Sequence, residues 1–137
     1  MRVISKIIIH CSATLPFQPV SVADIRSWHK ERGFIDVGYH YIIDIDGTIH
    51  VGRPVDKIGA HCAGYNAHSI GICYIGGLDE QGNPCDTRTS AQISSLRSLI
   101  DILRGFYPNV SIHGHNEFSD KACPCFDVKS ELSKFNP

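Results

Sequence analysis

The sequence predicts a single α/β domain in which a mixed central β-sheet is flanked by about three α-helices. Apolar β-branched segments alternate along the chain with segments of helical periodicity, which is the pattern of helices packed on a sheet. One strong hairpin signal requires at least one antiparallel strand pair within that sheet. The 137 residues leave no room for a second hydrophobic core, so we expect residues 1–137 to form one domain.

The first predicted strand and helix lie in the N-terminal quarter of the chain. Residues 3–9 are nearly continuous in apolar and β-branched side chains, which is typical of a strand buried on both faces. Ser21 is a good N-cap with Asp24 placed in the first helical turn, and Gly33 ends the helix. Trp28 is expected to lie in the core on the apolar face of this helix.

A β-hairpin and a long loop follow. Asp46-Gly47 is a strong turn signal between residues 39–44 and 48–53, which predicts two antiparallel strands. Residues 54–68 carry turn residues and little periodicity. Loops of this length in a compact domain are usually functional.

The most secure predicted helix begins after a capping box formed by Thr89 and Gln92, and it extends to about Phe106. Its leucines and isoleucines recur at intervals of three and four residues, so one face is apolar. Three shorter elements complete the chain: strands over residues 69–75 and 110–115, and a helix over residues 127–135.

Charge and hydropathy exclude several classes of function. With Lys+Arg 13 and Asp+Glu 14 the net charge is −1, so there is no basic field for a nucleic-acid backbone. No apolar run approaches the ~20 residues needed to span a bilayer. The first nine residues lack the apolar region of ~7–15 residues of a signal peptide. We therefore expect a soluble protein made in the cytoplasm without a signal peptide, with no direct nucleic-acid or membrane partner.

Eight histidines and six cysteines raise the question of a metal site. The ordinary alternative is buried thiols and surface imidazoles. His10 closes the first predicted strand, His115 closes the last, and Cys123 follows eight residues later. Three such ligands leave a fourth position open, as in catalytic zinc sites. Spacing does not decide between His115 and His113, which lie on the same face of a strand by the period-2 rule.

Six segments of the chain carry a more specific signal: HCSAT at 10–14, IRSWHK at 25–30, DVGYHY at 36–41, GYN at 64–66, SIGI at 69–72, and KACP followed by FD within 121–127. In this order and spacing they resemble the type-2 N-acetylmuramoyl-L-alanine amidases, whose superfamily includes the peptidoglycan recognition proteins. The resemblance is strongest to the small zinc amidases of tailed bacteriophages, and it covers nearly the whole chain.

The resemblance implies one Zn²⁺ per chain in a cleft at the strand ends. It assigns the metal to His10, His115 and Cys123, and it makes His113 a neighbour. Besides the metal ligands, the resemblance assigns a pair of catalytic residues, Tyr39 and Lys121. A lysine there can supply positive charge to an oxyanion, and a tyrosine can donate a hydrogen bond to the same oxygen or position the water.

The resemblance also implies that His61 and Asn66 border the metal cleft and contact the sugar or the stem peptide. The alternative is that they are loop residues that hydrogen-bond to nearby backbone. Cys125 lies two residues after the expected ligand, where it can compete for the metal or form an oxidation-sensitive pair. Cys73 is expected to be buried within its strand.

The leading hypothesis is a zinc-dependent peptidoglycan hydrolase that cleaves the amide between N-acetylmuramic acid and L-alanine of the stem peptide. One alternative is a non-catalytic peptidoglycan-binding module, which the three filled ligand positions disfavour. The other is a bifunctional phage-type amidase that also inhibits an RNA polymerase. We expect a monomer of phage or prophage origin that reaches the cell wall after lysis, holin-type release or specialised export.

Overall fold

Five strands form the sheet of this computed structural model, which describes residues 2–136. They are β1 (Lys6–Cys11), β2 (Tyr41–Ile43), β3 (Ile49–Val51), β4 (Ser69–Tyr74) and β5 (Ser111–Gly114). Their order in the sheet is β3-β2-β4-β1-β5. The pair β2 and β3 is antiparallel, whereas β4 runs parallel to both β1 and β2, and β1 runs parallel to β5. The sheet is therefore mixed, which confirms the predicted fold class.

Three α-helices accompany the sheet within the described residues: α1 (Val22–Glu31), α2 (Ser90–Phe106) and α3 (Val128–Glu131). Both predicted N-terminal caps are present: Ser21 forms a capping box with Asp24, and Thr89 forms one with Gln92. Between residues 2 and 136 there are also three 3₁₀ turns, which cover Asn66–His68, His115–Glu117 and Ser133–Phe135. No helix within residues 2–136 is long and apolar enough to cross a membrane.

The hydrophobic core lies on both faces of the sheet. One face packs against α2 through Leu96, Leu99, Ile100 and Leu103, all of which are buried. The other face forms a smaller cluster that includes Ile25 of α1. Every residue of β1 except the first is buried, as expected for a strand covered on both faces. Each fully buried Leu or Ile contributes about 1.5–3 kcal/mol to folding.

The ends of several elements differ from the prediction. Compared with the predicted residues 3–9, β1 begins later, at Lys6, where its pairing with β4 and β5 starts. It ends later because its ladder with β4 continues through His10 and Cys11. The hairpin strands keep only three residues each. The helix expected over residues 127–135 is one turn of α3 followed by a 3₁₀ turn, with Leu132 outside helical geometry between them.

The expectation that Trp28 lies in the core is wrong. Its side chain is 37% exposed, because Ile25 and His29 form the buried face of α1. The ring of His29 is held there by the backbone N–H of Gly38, which donates to Nδ1 at 2.8 Å.

Candidate functional site

Two parallel strands and one loop bring a group of potential metal ligands together. β1 and β5 run parallel, so their carboxyl ends meet at one edge of the sheet. His10 is the penultimate residue of β1, His115 follows β5 directly, and Cys123 comes from the loop beyond. Their ligand atoms all lie within 4.8 Å of one another. Two imidazoles and one thiol at this separation fit the donor set of a zinc site with an open position.

Contacts with the sheet hold the loop that carries Cys123. The backbone N–H of Cys11 donates to the Cys123 sulfur at 3.1 Å. The hydroxyl of Tyr74, at the end of β4, donates to the carbonyl of Pro124 at 2.7 Å. The loop therefore depends on tertiary contacts that its local sequence does not reveal.

The histidines of this region are held in the neutral form. Burial, followed by the neighbouring His61 and His115, lowers the pKa of His10 well below its ordinary value. Burial and the positive charge of Lys121 lower the pKa of His115. Burial, followed by His40, lowers the pKa of His61 to about 3. Neutral imidazole is the form that coordinates a metal, so this electrostatic setting favours binding at neutral pH.

Tyr39 and Lys121 lie beside the three candidate ligands. The Tyr39 ring lies 5.2 Å from the His10 ring, measured between centroids. Burial, followed by the thiols of Cys73 and Cys123, raises the pKa of the Tyr39 phenol, so it stays protonated and able to donate a hydrogen bond. Lys121 is exposed and lines the same cleft.

The cleft beside this group has a volume of about 620 Å³, and the three candidate ligands are among the residues that line it. This volume is within the range of small-molecule binding sites. A row of aromatic rings leads away from Tyr39 along one wall, through His29 to Phe34, and the Arg32 guanidinium lies 5.1 Å from the Phe34 ring. Among the described residues that line the cleft, Arg32 and Lys121 are charged and none is acidic. The cleft therefore favours anionic ligands.

Asn66 and His61 also line the cleft. The Asn66 side-chain oxygen accepts hydrogen bonds from the backbone N–H groups of His61 and Cys62, each at 2.9 Å. This is the backbone-bonding role that we considered as the alternative to substrate contact. Both ring nitrogens of His61 have partners inside the protein, at His10 and at Ser69. Substrate contact by His61 and Asn66 stays a prediction.

The structure separates the two histidines that spacing could not distinguish. β5 ends at Gly114, so strand alternation does not extend to His115. The ring of His113 instead contacts Ser111 at 2.7 Å and Glu117 at 2.9 Å, and it lies outside the ligand group.

All six cysteines are free thiols. Cys73 is fully buried in β4, as expected. The Cys125 sulfur lies 3.9 Å from that of Cys11 and outside the ligand group. Burial, followed by Cys11, raises the pKa of the Cys125 thiol to about 12, which keeps it protonated. Its oxidation with a neighbouring thiol stays a prediction.

Sequence reasoning missed three contributors to this site. The Ser69 hydroxyl and the Cys11 backbone N–H act through contacts between distant segments, and no local motif marks them. Arg32 gave a weak signal, because a cation just before the helix-ending Gly33 resembles any exposed helix terminus.

The fold and the site together define an α/β protein with a candidate metal centre in the wall of an open cleft. A family model described as N-acetylmuramoyl-L-alanine amidase matches residues 1–126. The chain is 50% identical over 123 residues to the endolysin of Escherichia phage T7, covering 90% of this chain and 82% of the endolysin. The chain belongs to the N-acetylmuramoyl-L-alanine amidase family.

Solved structures agree with this assignment. The amidase LysC from Clostridium intestinale superposes with a TM-score of 0.81 at 27% identity, over 96% of this chain and 87% of that one. A Drosophila PGRP-LB mutant in complex with tracheal cytotoxin superposes with a TM-score of 0.79 at 29% identity, over 97% and 82% of the two chains. The family and fold expected from the six sequence segments are therefore confirmed.

Proposed function

We propose that this protein is a zinc-dependent endolysin that cleaves the amide bond between N-acetylmuramic acid and the L-alanine of the stem peptide. The observation that carries the proposal is the convergence of His10, His115 and Cys123 in the lining of an open cleft, in a chain of the amidase family. Two neutral imidazoles and one thiolate form a donor set suited to zinc, with one coordination position left for chemistry.

In this proposal His10, His115 and Cys123 hold one Zn²⁺. When bound, the ion supplies Lewis acidity and a source of hydroxide at neutral pH. The protein's own residues then complete the site. The Cys11 backbone N–H donates to the Cys123 sulfur and so positions it, and the buried β1 strand fixes the position of His10.

Lys121 and Tyr39 act on the substrate amide. A water-derived hydroxide adds to the carbonyl carbon, and negative charge develops on the carbonyl oxygen. The Lys121 ammonium supplies opposite charge to that oxygen from the exposed side of the cleft. The Tyr39 phenol, protonated because its pKa is raised, donates a hydrogen bond to the same oxygen or positions the attacking water. The C–N bond then breaks, and the proton that the attacking water gave up passes to the departing L-alanine amine.

The substrate class follows from the family and the shape of the site. An open cleft with an aromatic wall and two cations suits a glycopeptide that carries carboxylates. The solved complex of PGRP-LB with tracheal cytotoxin supports ligand binding on this fold. A purely binding function is disfavoured, because coordinating residues stand at all three metal-ligand positions and because Lys121 and Tyr39 are present.

Three further expectations stay predictions. They are a phage-type RNA polymerase as a second partner, a monomeric state, and delivery to the cell wall by lysis, holin-type release or specialised export. Co-purification with a phage-type polymerase tests the first of them, and sedimentation of the purified chain tests the second.

Mass spectrometry of the products from a defined muropeptide tests the proposed reaction. We expect an intact N-acetylmuramic acid lactyl group and a stem peptide with a free L-alanine amine. Activity should disappear in a chelator and return with Zn²⁺. Cleavage at a sugar linkage or within the peptide contradicts the assigned bond, and activity untouched by chelation contradicts the metal.

A further inference from the structure

We infer that His61 is a positioning residue that accepts a hydrogen bond from His10 and thereby presents the Nδ1 atom of His10 to the metal. The inference rests on the proposed zinc site and goes beyond it, because it assigns the coordinating atom and the residue that selects it. It also gives His61 a role that differs from the substrate contact implied by the family resemblance.

The hydrogen bonds of three buried side chains carry the inference. His10 Nε2 lies 2.8 Å from His61 Nδ1, and His61 Nε2 lies 3.1 Å from the Ser69 hydroxyl oxygen. His10 and Ser69 are each 1% exposed and His61 is 9% exposed. The His10 and His61 rings meet edge-on, with an interplanar angle of 88°.

The position of one proton follows from this geometry. Each neutral imidazole has one N–H donor and one acceptor nitrogen, so one of the two facing nitrogens must donate. If His61 Nδ1 donated, the His10 proton would lie on Nδ1 and neither His10 nitrogen would be free for a metal. If His10 Nε2 donates, the lone pair of His10 Nδ1 is free. His61 Nε2 then carries the second N–H, and the Ser69 hydroxyl accepts it.

The surrounding backbone fixes the His61 ring. A Cβ atom added at Gly71 would lie 2.6 Å from His61 Cγ, and one at Gly59 would lie 2.8 Å from His61 Cδ2. The Asn66 side chain holds the backbone N–H of His61 at 2.9 Å. The ring is thus confined by segments on both sides, and both of its nitrogens are occupied. It therefore acts on the chemistry through His10.

Partners of this kind set the tautomer and basicity of metal-bound histidines, and their loss typically weakens metal affinity 10–100-fold. Two substitutions separate the hydrogen bond from the volume of the ring. His61→Phe fills the space and removes both nitrogens. His61→Asn keeps an acceptor oxygen close to the position of Nδ1.

The test is the zinc dissociation constant of each purified variant, measured by competition with a chromophoric chelator. We expect His61→Phe to raise the Kd about 10–100-fold. His61→Asn should stay within about threefold of the parent, because the acceptor for His10 is retained. Ser69→Ala should weaken binding by less than His61→Phe, since it removes only the outer link. Circular dichroism of the metal-free variants checks that each is folded.

A parental Kd in folded His61→Phe overturns the inference and leaves the proposed zinc site intact. A parent chain that binds no zinc contradicts the proposed function itself. If His61→Phe does not fold, nitrogen NMR of the zinc-loaded parent chain decides the matter. A proton on His10 Nε2 with the metal on Nδ1 supports the inference, and the reverse arrangement overturns it.

Discussion

The two sides of the candidate metal centre are built in different ways. On one side, His10 lies in a buried strand with hydrogen-bonded neighbours in β4 and β5, and its ring is anchored by His61. On the other side, His115 and Cys123 are half-buried and belong to the segment after β5, which also carries the exposed Lys121. The strand side supplies a rigid ligand, whereas the loop side combines two ligands with a group able to approach the substrate. Placing reactive groups on a loop supported by a rigid sheet is a common arrangement in enzymes.

The largest expected effect is on the loop side, at the thiolate ligand. Cys123→Ser replaces a soft thiolate by a weakly coordinating hydroxyl, so zinc affinity should fall by more than the 10–100-fold typical of losing an outer partner. Cys125→Ser is the matched control, because this thiol lies outside the ligand group and contacts Cys11 instead. Titration with zinc should distinguish the two. Equal affinities in both variants would remove Cys123 from the metal site.

Lys121→Ala should separate catalysis from metal binding on the same loop. We expect kcat to fall about 10²–10³-fold, as for the loss of one oxyanion-stabilising donor, while zinc content stays at one ion per chain. Lys129→Ala in α3 is the control, since this exposed lysine lies outside the cleft. Parental turnover in Lys121→Ala would show that the exposed cation does not act on the reaction.

Acid should destabilise the strand side. Burial lowers the pKa of His40 to about 4, and this ring accepts the backbone N–H of Gly71 in β4 through Nδ1. In the unfolded chain His40 binds a proton below the ordinary histidine pKa of about 6.5, whereas in the folded chain it does so only below about pH 4. This stabilisation is therefore complete above pH 6.5 and is lost as the pH falls towards 4, at a cost of roughly 2–3 kcal/mol.

Urea unfolding of the metal-free chain at pH 7 and pH 5 measures this loss. His40→Asn keeps an acceptor near Nδ1 but does not titrate, so its stability should depend less on pH than that of the parent. His68→Gln, at an exposed histidine outside the sheet, should keep the parental dependence. The same dependence in all three chains would exclude His40 as a source.

The smallest expected effect concerns the far end of the cleft. Arg32→Gln removes one of the two cations that line the cleft. We expect KM for an anionic muropeptide to rise by up to about fivefold, because an exposed ion pair contributes about 0.2–1 kcal/mol. The rise should shrink at high salt. Lys30→Gln makes the same charge change on α1 outside the cleft. An equal effect of both substitutions would indicate a general change of charge without a specific contribution from Arg32.

The strand side was more predictable from sequence than the loop side. The apolar run before His10 identified a buried strand, and the N-terminal caps Ser21 and Thr89 identified two helices, because these signals are local. Spacing could not distinguish His113 from His115, since the end of β5 at Gly114 depends on pairing with β1. The contact of Cys123 with Cys11 joins residues that are far apart in sequence, and the contact of His61 with Ser69 joins the two ends of a loop. Neither contact leaves a periodic pattern in the sequence.

Cobalt substitution reports on the proposed metal ligands, because a thiolate bound to Co²⁺ gives a charge-transfer absorption band. We expect one Co²⁺ per chain, with a thiolate band in the parent and in Cys125→Ser that is absent in Cys123→Ser and His10→Ala. A parent chain that binds no Co²⁺, or a band that depends on Cys125 and survives Cys123→Ser, would exclude His10, His115 and Cys123 as the ligand set.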